Sequence, residues 1–325
     1  MKKKEDTPNK QRQLVKIISE IAAENDITMQ SFSHDWIIQL SKNGQKTHIF
    51  GYNFEINSAT AQLLANDKSA TSELLTKNDV ASVEHQLFLN PRLSHYVGQN
   101  GIWIKIINYA KKHDYQIVAK VTSGTGGNSV FKIHTASELE KAVQKLFSKN
   151  HSLCLSPLYD IKNEYRIIVL EQNVALIYKK QIPYIVGNGN DTILELVLEK
   201  FKNSEVSNAI IEFATQFDTN VILAKNEKML LNWKHNLGKG AAPKIIENEM
   251  LRNKLADLAK KATKVLQINF ASVDIIETND NQYLVLEINS GIMTENFVQA
   301  LPHKYELIKN MYRKAIFKML KISQA

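Results

Sequence analysis

The sequence predicts an α+β fold whose sheets are largely antiparallel. Three observations carry this expectation. Short apolar segments with strand patterning are joined by tight turns, helical periodicity arrives in single segments between them, and no internal repeat is present.

The elements follow in order. Gln11 to Asn25 places Leu14, Ile17, Ile18 and Ile21 at helical spacing. A strand–turn–strand unit comes next: Trp36 to Leu40, a turn over Lys42–Gln45, then Thr47 to Tyr52. Asn43-Gly44 favours a hairpin because both central positions of such a turn need φ > 0. Ser58 to Thr76 reads as one helix and Trp103 to His113 as another. Gln116 to Val121 and Ser129 to Ile133 read as strands around the loop Thr122 to Asn128. Thr135 and Glu138 form a capping-box pattern that opens a helix to Phe147. Strands are expected at Ser152 to Pro157, Tyr165 to Glu171 and Val174 to Lys179. Gly187 to Asp191 is a turn, and Thr192 caps a helix to Phe201. A long helix, Asn248 to Leu266, leads to strands Phe270 to Glu277 and Gln282 to Asn289. Tyr305 to Lys321 closes the chain as a helix.

Composition narrows the function classes. At 325 residues, 44% hydrophobic and 23% charged, the chain suits about two folded domains. No apolar run approaches the roughly 20 residues of a membrane helix, and the basic start, MKKKEDTPNKQRQ, lacks the apolar stretch of a signal peptide. Cys154 is the single cysteine, which leaves no intramolecular disulfide and no cysteine metal site. The expectation is a cytoplasmic protein with neither membrane nor nucleic acid as partner. The net charge of +8 is spread along the chain, without the basic helix or aromatic-interleaved stripe of nucleic-acid binders. Such a surface equally suits anionic small ligands.

Three groups of residues carry chemistry. In the first, Lys120 ends an apolar strand and Gly124-Thr-Gly-Gly127 follows. Backbone N–H groups of such a loop can close over phosphate oxygens while the lysine supplies a point charge; the same pattern also describes a plain hairpin loop. In the second, Glu287 and Asn289 alternate onto one face of a strand, and Asp274 sits on the neighbouring strand. Two carboxylates and an amide oxygen make a hard-oxygen site suited to Mg²⁺ shared with phosphates. The alternative is a solvated sheet edge, but Asp274 lies within Ala271 to Ile276, where a carboxylate is costly to bury without a partner. The third is Asn232 to Gly240, polar and cationic; an ordinary surface loop has the same composition.

These groups occur in an order that resembles the ATP-grasp ligases, most closely the ATP-grasp domain of cyanophycin synthetase and of the fused bacterial glutathione synthetases. The resemblance spans about Trp36 to Asn296. Its markers are a glycine- and tyrosine-containing segment before the helix with Asn66-Asp-Lys-Ser-Ala-Thr71, Val118-Ala-Lys120 with its glycine loop, Glu164-Tyr-Arg166, Ile185 to Gly189 with Thr192 to Leu196, Asn236-Leu237, Val273-Asp274 and Glu287-Ile-Asn289. It implies an ATP-grasp fold: two α+β subdomains of mainly antiparallel sheet clamping ATP, behind a short N-terminal segment. The expected division is 1–60, a helix and hairpin region; 61–160, the lid subdomain; and 161–325, the C-terminal subdomain with the metal site.

The resemblance further implies roles. Lys68 and Lys120 contact ATP phosphates under a flap of Gly124, Gly126 and Gly127. Ser156 to Leu158 forms the hinge that reads adenine, and Glu164 lies near the ribose. Arg166, Lys180 and Asn236 face the acyl-phosphate region, and Asp274, Glu287 and Asn289 hold Mg²⁺, as two ions, with Mn²⁺ as a substitute. The implied activity is ATP-dependent joining of a carboxylate to an amine through an acylphosphate, with an amino acid or short peptide as substrate and with self-association. A modifier of a ribosomal peptide or protein and an inactive nucleotide-binding module are the alternatives. The sequence departs from the family pattern at Ser156, where relatives often have glutamate. It also departs at Gly238-Lys-Gly-Ala-Ala242 and at Ser290 to Glu295, which lacks a proline-glycine. The last two stretches point to a different substrate from cyanophycin or glutathione.

Overall fold

A computed structural model of the chain describes residues 11–93, 101–124, 129–201, 217–231 and 237–323. Helix α1 (Gln13–Glu24) precedes a four-stranded antiparallel sheet of β1 (Thr28–Phe32), β2 (Ile37–Lys42), β3 (Gln45–Phe50) and β4 (Asn53–Phe54). The β2–β3 turn is the one the sequence predicts: Asn43 and Gly44 have φ of 50° and 77°. α1 buries the expected stripe, Leu14, Ile17, Ile18 and Ile21, in one core with Ile38, Leu40 and Ile49 of the sheet.

The predicted single helix over 58–76 is two. Helix α2 (Ala59–Asn66) is capped by Ser58 and helix α3 (Lys68–Lys77) by Asp67. The Asp67 backbone is extended, and its carboxylate accepts from the N–H groups of Ser69 and Ala70, both at 2.9 Å. The break is set by tertiary contact: the Lys68 N–H donates to the Thr122 carbonyl (3.0 Å), and Asp67 bridges to Ser123.

A second sheet has the order β5 (Gln86–Leu89), β8 (Ser152–Pro157), β6 (Ile117–Lys120), β7 (Val130–Ile133), antiparallel throughout. Alternation divides its faces. Ile117, Ala119, Ile133, Leu153 and Leu155 pack under helices α4 (Ile102–Lys112) and α5 (Ala136–Phe147). Val118, Lys120, Val130, Lys132 and Ser156 face the other way, into a cavity. The capping box at Thr135 and Glu138 is formed as expected.

The central sheet has five antiparallel strands in the order β13-β10-β9-β14-β15. They are β9 (Ile161–Leu170), β10 (Asn173–Gln181), β13 (Ala242–Ile245), β14 (Phe270–Thr278) and β15 (Tyr283–Asn289). Between β10 and β13 the chain forms the pair β11 (Tyr184–Val186) and β12 (Lys228–Leu230) with helix α6 (Ile193–Phe201). Thr192 and Glu195 cap α6 reciprocally, which completes a second capping box. One face of the central sheet, with Ile167, Val169, Val273, Ile275 and Ile288, is covered by helix α7 (Glu249–Val265) together with α2 and α3.

The other face is divided. Its apolar half, with Ile168, Leu170, Leu176 and Phe270, packs on the N-terminal unit and on helix α9 (Tyr305–Met319), which follows the short helix α8 (Glu295–Ala300). Phe54 stacks on Tyr312 at 5.5 Å and meets Phe270 edge-on at 5.1 Å. Side chains of this size contribute about 1.5–3 kcal/mol each when fully buried. The polar half faces the second sheet across the cavity. Among the described residues no helix is long and apolar enough to cross a membrane.

Candidate active site

The register of the central sheet builds the site. Tyr178 on β10 pairs with Arg166 on β9, Arg166 with Asp274 on β14, and Asp274 with Glu287 on β15. Directly paired residues share a face, so these four form one row across four strands. Lys180 and Glu164 lie on the same face one step along, because their neighbours Lys179 and Tyr165 are partners. Between Asp274 and Ile275 the β14–β15 register skips Leu286, a bulge that brings both Leu286 and Glu287 to the cavity.

Asp274 is 1% exposed and its carboxylate is held by two cations. Arg166 donates Nε to Oδ1 (2.8 Å) and Nη2 to Oδ2 (2.7 Å), and Lys180 Nζ donates to Oδ2 (2.6 Å) and to Glu164 Oε1 (2.5 Å). Burial alone pushes the Asp274 carboxyl up; the charges of Arg166 and Lys180 and their hydrogen bonds outweigh that and hold it well below the usual carboxylate range. This resolves the cost that the apolar strand around Asp274 imposes. A carboxylate has about four lone-pair sites and three are used here, which leaves one on Oδ1.

Lys68 and Lys120 come from opposite sides. The α2–α3 break aims Lys68 Nζ at the Gly124 carbonyl (3.0 Å) and 3.5 Å from Glu287 Oε2. Asn289 Nδ2 donates to Glu287 Oε1 at 3.2 Å. Lys120, 7% exposed at the end of β6, has no anion within ion-pair distance among the described residues. Burial lowers its pKa, with the charge of Lys68 adding to the fall against the opposing pull of Cys154 and Glu287. A desolvated cation on a cavity wall is a place for an anionic ligand.

A cavity of about 1100 Å³ lies between the two sheets. Lys68, Lys120, Gly124, Ser156, Leu158, Glu164, Arg166, Lys180, Asp274, Glu287 and Asn289 all line it, so it gathers every sequence-predicted site residue that is described. Gly126, Gly127 and Asn236 lie outside the described residues. Ser156 is 2% exposed. The Leu158 N–H donates to the Gln116 carbonyl (2.8 Å), so that group is already used.

Sequence reading missed part of the wall. Trp36, Phe50, Tyr52 and Asn53 of the N-terminal sheet and its turns line the cavity; Gly291 and Met293 line it too, within the Ser290 to Glu295 stretch that the sequence marks. Asn53 bridges to Gly291, and Ser290 Oγ donates to Asn53 Oδ1 (2.8 Å). The signal in the sequence for the N-terminal part of this wall is the glycine- and tyrosine-containing segment, Gly51-Tyr52, ahead of α2, which is one of the markers of the resemblance.

The donor set can be tested for a divalent ion. Glu287, Asn289 and the remaining Oδ1 lone pair of Asp274 are hard oxygen donors on one face of two paired strands, which fits Mg²⁺ shared with phosphates. Among the described residues no group of three His, Cys, Asp or Glu side chains is clustered for a metal, so any ion there depends on the amide and on ligand oxygens.

Comparisons with known proteins agree with the geometry. Residues 193–311 match the family model of the RimK-like ATP-grasp domain. The chain is 24% identical over 280 residues to the glutathione biosynthesis bifunctional protein GshAB of Clostridium perfringens, covering 77% of this chain and 33% of that protein. It is 22% identical over 200 residues to cyanophycin synthetase of Geminocystis herdmanii, covering 56% of this chain and 22% of that one. It therefore spans about a third or less of the length of the curated relatives it matches. Among solved structures, a bifunctional glutathione synthetase from Pasteurella multocida superposes with a TM-score of 0.56 at 16% identity, covering 90% of this chain and 42% of that one. D-alanine–D-alanine ligase from Bacillus anthracis superposes at 0.50 and 12% identity, covering 81% and 68%. The chain has the α+β ATP-grasp fold, its residues 193–311 match the RimK-like ATP-grasp family model, and the resemblance to ATP-grasp ligases read from its sequence holds.

Proposed function

We propose that this chain is an ATP-dependent carboxylate–amine ligase that works through an acylphosphate and releases ADP and phosphate. The observation that carries this reading is the cavity these residues share. It joins a buried lysine with no anion among the described residues to a paired-strand row of Arg166, Asp274 and Glu287.

In this reading a substrate carboxylate oxygen attacks the γ-phosphorus of ATP and ADP leaves. An amine then attacks the acyl carbon, phosphate leaves, and the amine gives up a proton. The protein supplies position and charge. Lys68 and Lys120 neutralise phosphate oxygens from two sides, with Gly124 tying the loop to Lys68. Arg166, fixed at its guanidinium by Asp274, offers its remaining N–H donors to the anion that develops on the acyl group. Lys180 donates to both Glu164 and Asp274, so it acts chiefly by setting the Arg166–Asp274 geometry. Glu287, Asn289 and Asp274 would hold Mg²⁺, which supplies charge neutralisation at the transferring phosphoryl group. The substrates are an amino acid or short peptide on each side, in the cytoplasm.

The test is ADP and phosphate release from ATP and Mg²⁺ across a panel of amino-acid and dipeptide acids and amines, together with thermal melts. Turnover with at least one pair is expected, and Glu287→Gln should cut it on the order of 10²-fold or more. A rise in Tm with ATP and Mg²⁺ but no ADP from any pair would favour a nucleotide-binding module. Unchanged turnover in Glu287→Gln would remove the metal assignment.

A further inference from the structure

One wall of the cavity is aromatic and stands apart from the charged row. Trp36, Phe50 and Tyr52 come from the N-terminal sheet and its turns, and Met293 from the segment after β15. Trp36 is 44% exposed, Phe50 58% and Met293 48%. Large apolar groups left open to water on the wall of a cavity favour any ligand surface that covers them.

This wall is built in advance. Gly51 sits at φ +61°, its N–H donates to the Trp36 carbonyl (2.8 Å), and a Cβ at that position would lie 2.9 Å from Trp36 Cζ2. The glycine thus lets the indole lie against the turn. The Arg12 guanidinium sits 4.9 Å from the Trp36 ring centre and 5.2 Å from that of Tyr52, and it donates to the carbonyls of Gly51 and Asp35. Phe50 and Tyr52 each meet Trp36 edge-on at 6.3 Å. Rings held in this way lose little freedom when a ligand arrives.

The same contacts decide which chemistry fits. Aromatic faces attract cations, but here Arg12 already holds that position on two of the rings. A second cation would meet the charge of Arg12 beside them. An anion would face the negative side of the ring quadrupoles. A neutral apolar group has neither conflict.

We propose that the shelf of Trp36, Phe50 and Met293 selects a substrate with a neutral apolar side chain, aliphatic or aromatic, beside its reacting carboxylate or amine. This rests on the ligase reading and names its substrate class. It also accounts for the departure of Ser290 to Glu295 from the family pattern, since that segment contributes Met293 to the shelf.

The experiment uses the full chain with ATP and Mg²⁺. Glycine, leucine, phenylalanine, glutamate and lysine are varied as the acid against a fixed glycine amine, and then as the amine against a fixed glycine acid. Leucine or phenylalanine should exceed glycine in kcat/KM by about tenfold or more in one arm, and that arm identifies which substrate carries the side chain. Trp36→Ala and, separately, Phe50→Ala should each collapse the apolar-to-glycine ratio several-fold. Phe50 is more than half exposed, so its replacement keeps the test independent of folding. A preference for glutamate or lysine in both arms, or a ratio unchanged in both variants, overturns the proposal. Titration calorimetry of leucine, phenylalanine and glycine separates its failure from that of the ligase reading. If no pair releases ADP but leucine and phenylalanine bind more tightly than glycine and lose that advantage in Trp36→Ala, the shelf stands without the ligase. Equal binding of all three removes the shelf.

Discussion

Two clusters in this molecule have the same composition and opposite settings. In the cavity wall, Arg166 and Lys180 meet Asp274 and Glu164; between the first and last helices, Lys309 and Arg313 meet Glu20 and Glu24. The first is assembled on a sheet, with Asp274 and Lys180 side chains 1% and 5% exposed. The second lies on a helix–helix seam; its Lys309 side chain is also buried, at 7% exposed, but its carboxylates are open, Glu20 and Glu24 side chains being 34% and 47% exposed. The difference teaches what each is for. Carboxylates that keep contact with water cost little to bring to a cation, and this cluster ties α1 to α9 across nearly the whole chain. A buried group of four charges carries a desolvation cost that an apolar row of equal volume would avoid. In the proposed ligase, its place facing the cavity is where charge serves the chemistry rather than the stability.

The sharpest way to break this contrast is Asp274→Asn. It keeps the side-chain volume but leaves the buried Lys180 and the partly buried Arg166 with Glu164 as their remaining carboxylate in the cluster and turns an amide N–H toward one of them. The expected loss is ~3–5 kcal/mol, measured by urea unfolding. Glu24→Gln at the helix seam should cost several times less in the same measurement. A loss below about 1 kcal/mol for Asp274→Asn would mean that the cations relax toward water through the cavity, and that the two clusters do not differ in kind.

How much of this was legible in the sequence follows from how local each feature is. The hairpin at Asn43-Gly44, the capping box at Thr135 and Glu138, and the Glu287–Asn289 face depend on neighbours within a few residues, and each was readable. The need for a partner at Asp274 was readable from its apolar surroundings. The partners themselves were not, because Arg166 and Lys180 are 108 and 94 residues away and reach Asp274 only through the β9–β14 and β9–β10 registers. The break at Asp67 escaped for a similar reason: helical patterning continues through it, and a hydrogen bond to Thr122 decides the matter. Short edge strands such as β5 and β13 carry little pattern of their own and are defined by the strands they join. The aromatic shelf was hidden because a tryptophan at the start of a strand reads as core until the cavity beside it is seen.

Salt sharpens the comparison by a smaller amount. Exposed charges are screened over about 10 Å at 0.1 M ionic strength and about 3 Å at 1 M, whereas buried pairs are screened far less. Between 0.05 M and 1 M NaCl, the Tm difference between wild type and Glu24→Gln should shrink toward zero. The difference between wild type and Asp274→Asn should stay within roughly a fifth of its low-salt value. Equal shrinkage in both would show that solvent ions reach the cavity cluster freely.

The smallest expected effect is in acid, and its sign follows from the direction of each shift. The hydrogen bond from Lys309 lowers the carboxyl pKa of Glu20 and of Glu24, and Asp274 is held lower still against its burial. For a carboxyl depressed in the folded state, the stabilisation is present above the unfolded pKa, about 4.3 for Glu and 3.9 for Asp. It is lost as pH falls through the folded value. Glu24 is lowered by its hydrogen bond from Lys309, so the Tm gap between wild type and Glu24→Gln, already small at pH 7, should shrink as pH falls from 5 to 3. The gap for Asp274→Asn should persist there, because the wild-type carboxylate is still ionised between its two cations. Melts at pH 7, 5 and 3 read both gaps in one series. If the Asp274 gap closed together with the Glu24 gap, the carboxylate would be titrating as an exposed group does, and the cluster in the cavity wall would be open to water.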